Sequence, residues 1–207
     1  IGDWIWDSMR HGDDRLHSVA YGGDACGNAH LDDYANTAEA FLTLAAVTDW
    51  DKPGDSERWI DRARRLADVV DLHFKDSAAV GYFFTSDDHE SLVHRKKDWF
   101  DNAIPSGNAS MAHVYGVLEA LTGEAAHGAA AERLKVAYPG IVQAAPAAAS
   151  HALAAFTQRA TGIAVIKARP GSDLEALRQA LTGRPWRPVF LRTDAPEDQS
   201  AAFQLCV

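Results

Sequence analysis

Cysteine is scarce in this sequence: two residues in 207, Cys26 and Cys206, at opposite ends of the chain. No CxxC pair and no Cys/His ligand spacing occurs, which excludes a disulfide framework and a structural zinc module and points to a reducing, cytoplasmic setting. Long apolar runs are missing too. None approaches the roughly 20 residues that span a bilayer, and the acidic, aromatic opening has no basic n-region of a signal peptide. No membrane partner is therefore expected. Basic residues are in the minority, 20 Lys and Arg against 29 Asp and Glu, for a net charge of -9. The densest basic stretch, Arg62, Arg64 and Arg65, is interleaved with Asp61 and Asp68, so no nucleic-acid partner is expected. A Gly-rich phosphate loop is also absent, since Arg169-Pro170-Gly171-Ser172 reads as a plain turn. Neither a cofactor nor a metal is expected. The chain does not begin with methionine, and the expectation is a piece of a longer protein.

What is present is ordinary globular composition, 47% hydrophobic and 24% charged. Leu31, Tyr34, Ala35, Ala38, Phe41, Leu42 and Ala45 recur at helical spacing and predict a helix over 30–48. Residues 57–75 predict a second helix with one apolar stripe and one wet face. Residues 106–122 predict a third that carries almost no charge, with Glu119 and His113 as its polar exceptions, so it must be covered on most sides. A shorter, more polar helix is expected over 124–138, and an Ala-rich apolar one over 141–160 with Pro146 near its start or at a kink. Residues 16–21 and 81–85 read as short strands, and 26–28 as loop. Helices with buried faces (30–48, 106–122, 141–160) thus alternate with wetter ones. That alternation predicts a mainly α fold, a partial (α/α) toroid of stacked helical hairpins over residues 1–162. After Gly162 the texture changes. Runs at 163–167, 188–191 and 201–207, with a helix over 172–181, predict a small βαβ-type α/β appendage with a parallel strand pair over 163–207.

The stretch from Lys97 to Ser110, KDWFDNAIPSGNAS, stands out. Pro105 turns the chain, and Ser106 or Asn108 can cap the apolar helix that follows. In a toroid the inner helices run parallel, so the helix openings at Asp32-Asp33 and at Asp101 to Asn108 should approach across one rim. A site there would hold paired carboxylates for acid/base work, Asp32 or Asp33 with Asp101. It would also hold Tyr34, the amides of Asn102 and Asn108 and the Ser106 hydroxyl. Arg95, Lys96 and Lys97 precede the loop as cationic partners, His30 adjoins the aspartate pair, and Trp99 is the aromatic best placed to stack on a sugar. The same residues also read as ordinary helix furniture: first-turn aspartates favoured by the helix dipole, and an Asp101 that holds its loop through backbone N–H bonds. His89 and His94 flank Glu90 without metal-ligand spacing and read as a solvated turn.

Three blocks, His30-Leu31-Asp32-Asp33-Tyr34-Ala35, Gly81-Tyr82-Phe83-Phe84-Thr85 and Asp101-Asn102-Ala103-Ile104-Pro105-Ser106-Gly107-Asn108, come in an order that resembles the C-terminal part of the thioredoxin-domain-containing, spermatogenesis-associated family. Asn102 stands where that family usually has Gly, and Ala109 where it usually has Ser. The resemblance implies a six-hairpin α/α barrel like that of glycosidases and N-acylglucosamine 2-epimerases, a thioredoxin-like domain elsewhere in the parent, and a sugar or other small polar ligand. It also implies that this chain holds only about half of the hairpins that close such a barrel. The remaining N-terminal portion of the parent, or a second copy, is then the expected partner. Two functions follow as expectations: a carbohydrate-binding or carbohydrate-processing cavity, or a non-catalytic scaffold that docks another domain or subunit.

Overall fold

A computed structural model describes residues 1–90, 93–182, 189–193 and 201–206. Pro188 and Val207, at the ends of two expected strand runs, lie outside the described residues. The described residues are mainly α-helical, with a small α/β part at the end.

The chain opens with a helical turn, α1 (Gly2–Trp4), continued by a wider turn over Ile5–Met9. A meander follows: β1 (Arg10–His11), β2 (Arg15–Tyr21) and β3 (Asp24–Asn28), all antiparallel. The sequence suggested loop at Cys26 to Asn28. Those residues instead pair back onto β2, because Gly22 and Gly23, both at positive φ, turn the chain sharply enough to close a hairpin. Tyr34 anchors this meander from below. Its buried hydroxyl accepts the Leu16 N–H at 2.8 Å and Arg15 Nε at 3.2 Å.

Helices α2 (Leu31–Thr48) and α3 (Ser56–His73) form a hairpin. The one-sided pattern of α3 does what it predicts: Trp59, Ile60, Ala63, Leu66, Ala67 and Val70 pack inward and the charged residues face out. Helix α4 (Gly107–Thr122) buries twelve of its sixteen residues, as its near-absence of charge requires. It lies between α2, α3, α5 (Ala125–Lys135) and α7 (Ser150–Thr161). The predicted helix over 141–160 is broken into α6 (Pro139–Ala144), a 3-10 turn over Pro146–Ala149, and α7. Pro146 has no N–H to continue the first piece, and it pushes Ala145 to ψ 73°.

Residues 81–85 form no strand. Tyr82 makes one isolated bridge to Lys75. The Phe83 N–H is given to Phe74 and that of Phe84 to Lys96, while the Phe84 carbonyl accepts from Leu31. An asparagine takes the place of a neighbouring strand at Tyr82, as described below.

In the C-terminal unit β4 (Ala164–Ala168), α8 (Leu174–Leu181) and β5 (Val189–Arg192) make the expected parallel crossover, and β6 (Phe203–Cys206) adds antiparallel to the other side of β4. Buried Asp49 fastens this unit to the helices. One carboxylate oxygen accepts the Ser56 N–H at 2.7 Å and the other accepts from the Thr193 N–H and hydroxyl at 3.2 and 3.1 Å.

Candidate functional site

Helices α2, α4 and α7 stand in a row and point the same way. Two contacts establish this. Gly107 lies against the start of α2 so closely that a Cβ there would sit 2.7 Å from Leu31 Cγ and 3.2 Å from the Asp32 nitrogen. Asp101 then ties the starts of α4 and α7 together. Its Oδ1 accepts the Ser106 N–H at 3.0 Å, and its Oδ2 accepts the His151 N–H at 2.8 Å and the Ser150 hydroxyl at 3.3 Å. Three positive helix ends therefore meet on one face of the molecule.

A cavity of about 90 Å³ opens between the first two ends. Asp32, Asn102 and Ser106, three of the residues singled out from the sequence, line it together with Phe84, Asp98, Phe100 and Ile104. Phe100 and Ile104 are each 53% exposed, so the rim offers apolar surface as well as polar atoms. Lys96 stands at its edge, its ammonium 3.0 Å from Asp98 and 4.4 Å over the Phe84 ring. His30 stacks on the same ring at 4.6 Å.

The other expected residues are engaged within the protein. Asp33 accepts the His30 N–H at 2.8 Å as a helix cap. Burial pushes its carboxyl above the ordinary range, the His30 bond pulls the other way, and the Asp32 charge adds to the rise. The bonds of the Asp101 carboxylate go to the starts of α4 and α7, and the Asp101 backbone N–H is given to the Ala148 carbonyl. Tyr34 and Asn108 are fully buried. Asn108 holds Tyr82 through two bonds, accepting its N–H at 2.9 Å and donating to its carbonyl at 3.0 Å, and donates again to the Asp98 carbonyl at 2.9 Å. Ser106 caps α4 by accepting the Ala109 N–H at 3.3 Å. Arg95 turns away from the cavity to the carbonyls of Thr85 and His73 and lies 4.2 Å over Phe83. Lys97 pairs with Asp76 at 2.6 Å. Trp99 is wedged edge-on against Tyr138 and fills the space above Gly81, where a Cβ would collide with its ring. The ring open to solvent at the cavity is Phe100.

A second group, absent from the sequence reading, lies along the same row. Glu39 on α2, His113 on α4 and His151 on α7 meet side by side. Glu39 Oε1 is 3.1 Å from His113 Nδ1, and Glu39 Oε2 is 3.1 Å from His151 Nε2. Burial raises the Glu39 carboxyl, but the two histidines outweigh it and hold the group down at about 2. The bond to Glu39 in turn raises His151 against the effect of burial. One turn nearer the rim, the Ser110 hydroxyl donates to Asn36 at 3.1 Å across the same pair of helices.

No family model and no curated protein matches the chain. The site's missed members were hidden for a simple reason: Glu39 and His151 are 112 residues apart, and no motif spacing joins them. The usable signal was His113, a titratable side chain in a helix otherwise carrying only Glu119. Among the described residues, no helix is long and apolar enough to cross a membrane.

Proposed function

We propose that the cavity where α2 and α4 begin binds one edge of a hydroxyl-rich small molecule of the carbohydrate class. The observation that carries this reading is the close packing of Gly107 on Leu31 and Asp32, which sets two carboxylates, an amide and two phenyl rings around one opening. Sugars present hydroxyls along their edges and C–H groups on their faces. Asp32 and Asn102 suit the first, and Phe100 suits the second. The volume takes a few water-sized groups, an edge of a sugar ring rather than all of it. In an enzymatic version the acid/base pair is Asp32 with Asp98, because Asp33 and Asp101 serve their helix ends.

The row of α2, α4 and α7, backed by α3 and α5, fits one wall of an (α/α) toroid, with the remaining hairpins supplied by the parent chain or by a second copy. This is the architecture that the likeness to the thioredoxin-domain-containing, spermatogenesis-associated family implies. The test is a calorimetric titration with a panel of neutral and acidic monosaccharides. The unaltered protein should bind at least one of them, and Asp32→Asn and Phe100→Ala should each weaken that sugar by about tenfold, the worth of one good polar or ring contact. Equal affinity in all three proteins contradicts the reading.

A second reading, a docking scaffold, draws on the edge of the row. Helix α7 packs on α4, while its other side leaves Leu153 36% exposed beside exposed Ala154 and Thr157. On this reading sedimentation equilibrium at micromolar concentration shows a dimer. A stable monomer with sugar affinity leaves the cavity reading alone in place.

A further inference from the structure

Glu39, His113 and His151 are the only set of two imidazoles and a carboxylate among the described residues whose donor atoms all lie within 4.8 Å of one another. We propose that they form a binding site for one divalent transition-metal ion of the zinc class, with Glu39, His113 Nδ1 and His151 Nε2 as its three protein ligands.

Four observations support this. First, the donor set is right: two imidazoles and a carboxylate suit zinc and its neighbours, whereas magnesium and calcium prefer an all-oxygen shell. Second, the spacing is right. Bonds of about 2.0–2.1 Å in a tetrahedron place donors roughly 3.3 Å apart. One carboxylate oxygen stands 3.1 Å from His113 Nδ1 and the other 3.1 Å from His151 Nε2, and one donor atom from each residue lies within 4.8 Å of the other two, so side-chain rotations can gather all three on one centre. Third, His113 Nδ1 is shut off from solvent and has no aligned hydrogen-bond partner, although Glu39 Oε1 is only 3.1 Å away. A nitrogen close to a carboxylate but off the line of a hydrogen bond is placed to share a third atom with it. Fourth, each ligand comes from a different helix whose position is fixed independently. Asp101 holds the His151 backbone N–H, and Ser110 joins α4 to Asn36 on α2. Helix-borne ligands of this kind need little ordering on binding.

The side chains are between 22 and 25% exposed although His113 Nδ1 itself is shut off, and three protein ligands leave one position of a tetrahedron unfilled by protein. Three protein ligands with an open position is the pattern of reactive rather than purely structural zinc sites. Two other histidine groups serve as internal controls. His11 and His17 stack with ring centres 4.1 Å apart. His73 lies with Asp87 and Asp88, but both Asp88 oxygens are taken by Arg15 at 2.6 and 2.7 Å.

The test uses the full chain after chelator treatment and zinc chloride as the titrant. The expected result is one tight site per chain. Glu39→Gln, His113→Gln and His151→Gln should each weaken it by at least about tenfold, while His11→Gln/His17→Gln leaves it unchanged. Crystals of the zinc-loaded, unaltered protein add a measurement that no folding defect can confound: an anomalous-scattering peak should lie within bonding distance of all three ligands. Unchanged affinity in the three variants, a peak at His11 and His17 or at His73, or no zinc binding overturns the proposal and leaves a metal-free hydrogen-bonded cluster. Sugar affinity at the rim is measured in the presence of chelator, so loss of one proposal is distinguishable from loss of the other.

Discussion

At the scale of single residues, Asn108 shows how a polar side chain in a turn motif can be engaged by the protein's own backbone. The Pro-Ser-Gly-Asn run marked a helix start with polar side chains, which the structure bears out at Ser106. The Asn108 amide, however, points into the protein and pairs with both backbone groups of Tyr82, as a neighbouring strand would. This substitutes for the strand expected at residues 81–85. Nothing local in the sequence reveals it, because the partner is 26 residues away. Removing the amide leaves a buried N–H and two carbonyls to find new partners. Asn108→Ala should therefore lose about 3 kcal/mol of stability, near 1 kcal/mol for each bond, measured as a lower urea midpoint with an unchanged slope. A loss below about 1 kcal/mol would mean that water satisfies these groups and the clamp is incidental. Asp33 and Asp101 carry out the capping and loop-holding work that the sequence offered beside a ligand role. Carboxylates at helix openings are legible as such, but whether they face a ligand or their own backbone depends on φ and ψ that spacing does not encode.

At the scale of elements, most helices follow from apolar spacing, and their roles follow from how much charge each carries. The near-uncharged α4 is the most covered, and the one-sided α3 is amphipathic in place. The division of 141–160 into three pieces was only half legible. Pro146 announced a break, but an Ala-rich run supplies no periodic contrast to show where each piece ends. What positions the candidate site is the contact between elements at Gly107. Ala normally favours a helix over Gly, yet here a Cβ meets Leu31 and the backbone nitrogen of Asp32. Gly107→Ala should cost about 1–3 kcal/mol through overpacking and spread the starts of α2 and α4. Thermal unfolding reads the first effect and weaker sugar binding the second. A variant as stable as the parent, with unchanged affinity, would show that the helix ends need not touch.

At the scale of the whole molecule, the α/β unit and the helices are joined through a residue that no pattern in the sequence marks. Asp49 ends α2, receives the start of α3 and accepts two bonds from Thr193 beyond β5. It looks like any loop aspartate in sequence. It is buried because two parts of the chain converge on it from positions 144 residues apart. Asp49→Ala should lower stability by about 2–3 kcal/mol, a lost cap plus unpaired buried groups. It should also raise hydrogen exchange at Phe190 and Leu191 more than in α4. Uniform exchange across both regions would show that the two parts unfold as one unit regardless of this link.

Whether the shared face where α2 and α4 begin is a ligand site decides the proposed function. Amide chemical-shift mapping of the labelled chain, titrated with the sugar panel, tests it most directly. Saturable shifts concentrated at Asp32, Phe100, Asn102 and Gly107 are expected, with α3 and α5 unmoved. Shifts absent for every sugar, or gathered on another face, would contradict the proposed function and return these residues to capping and packing alone.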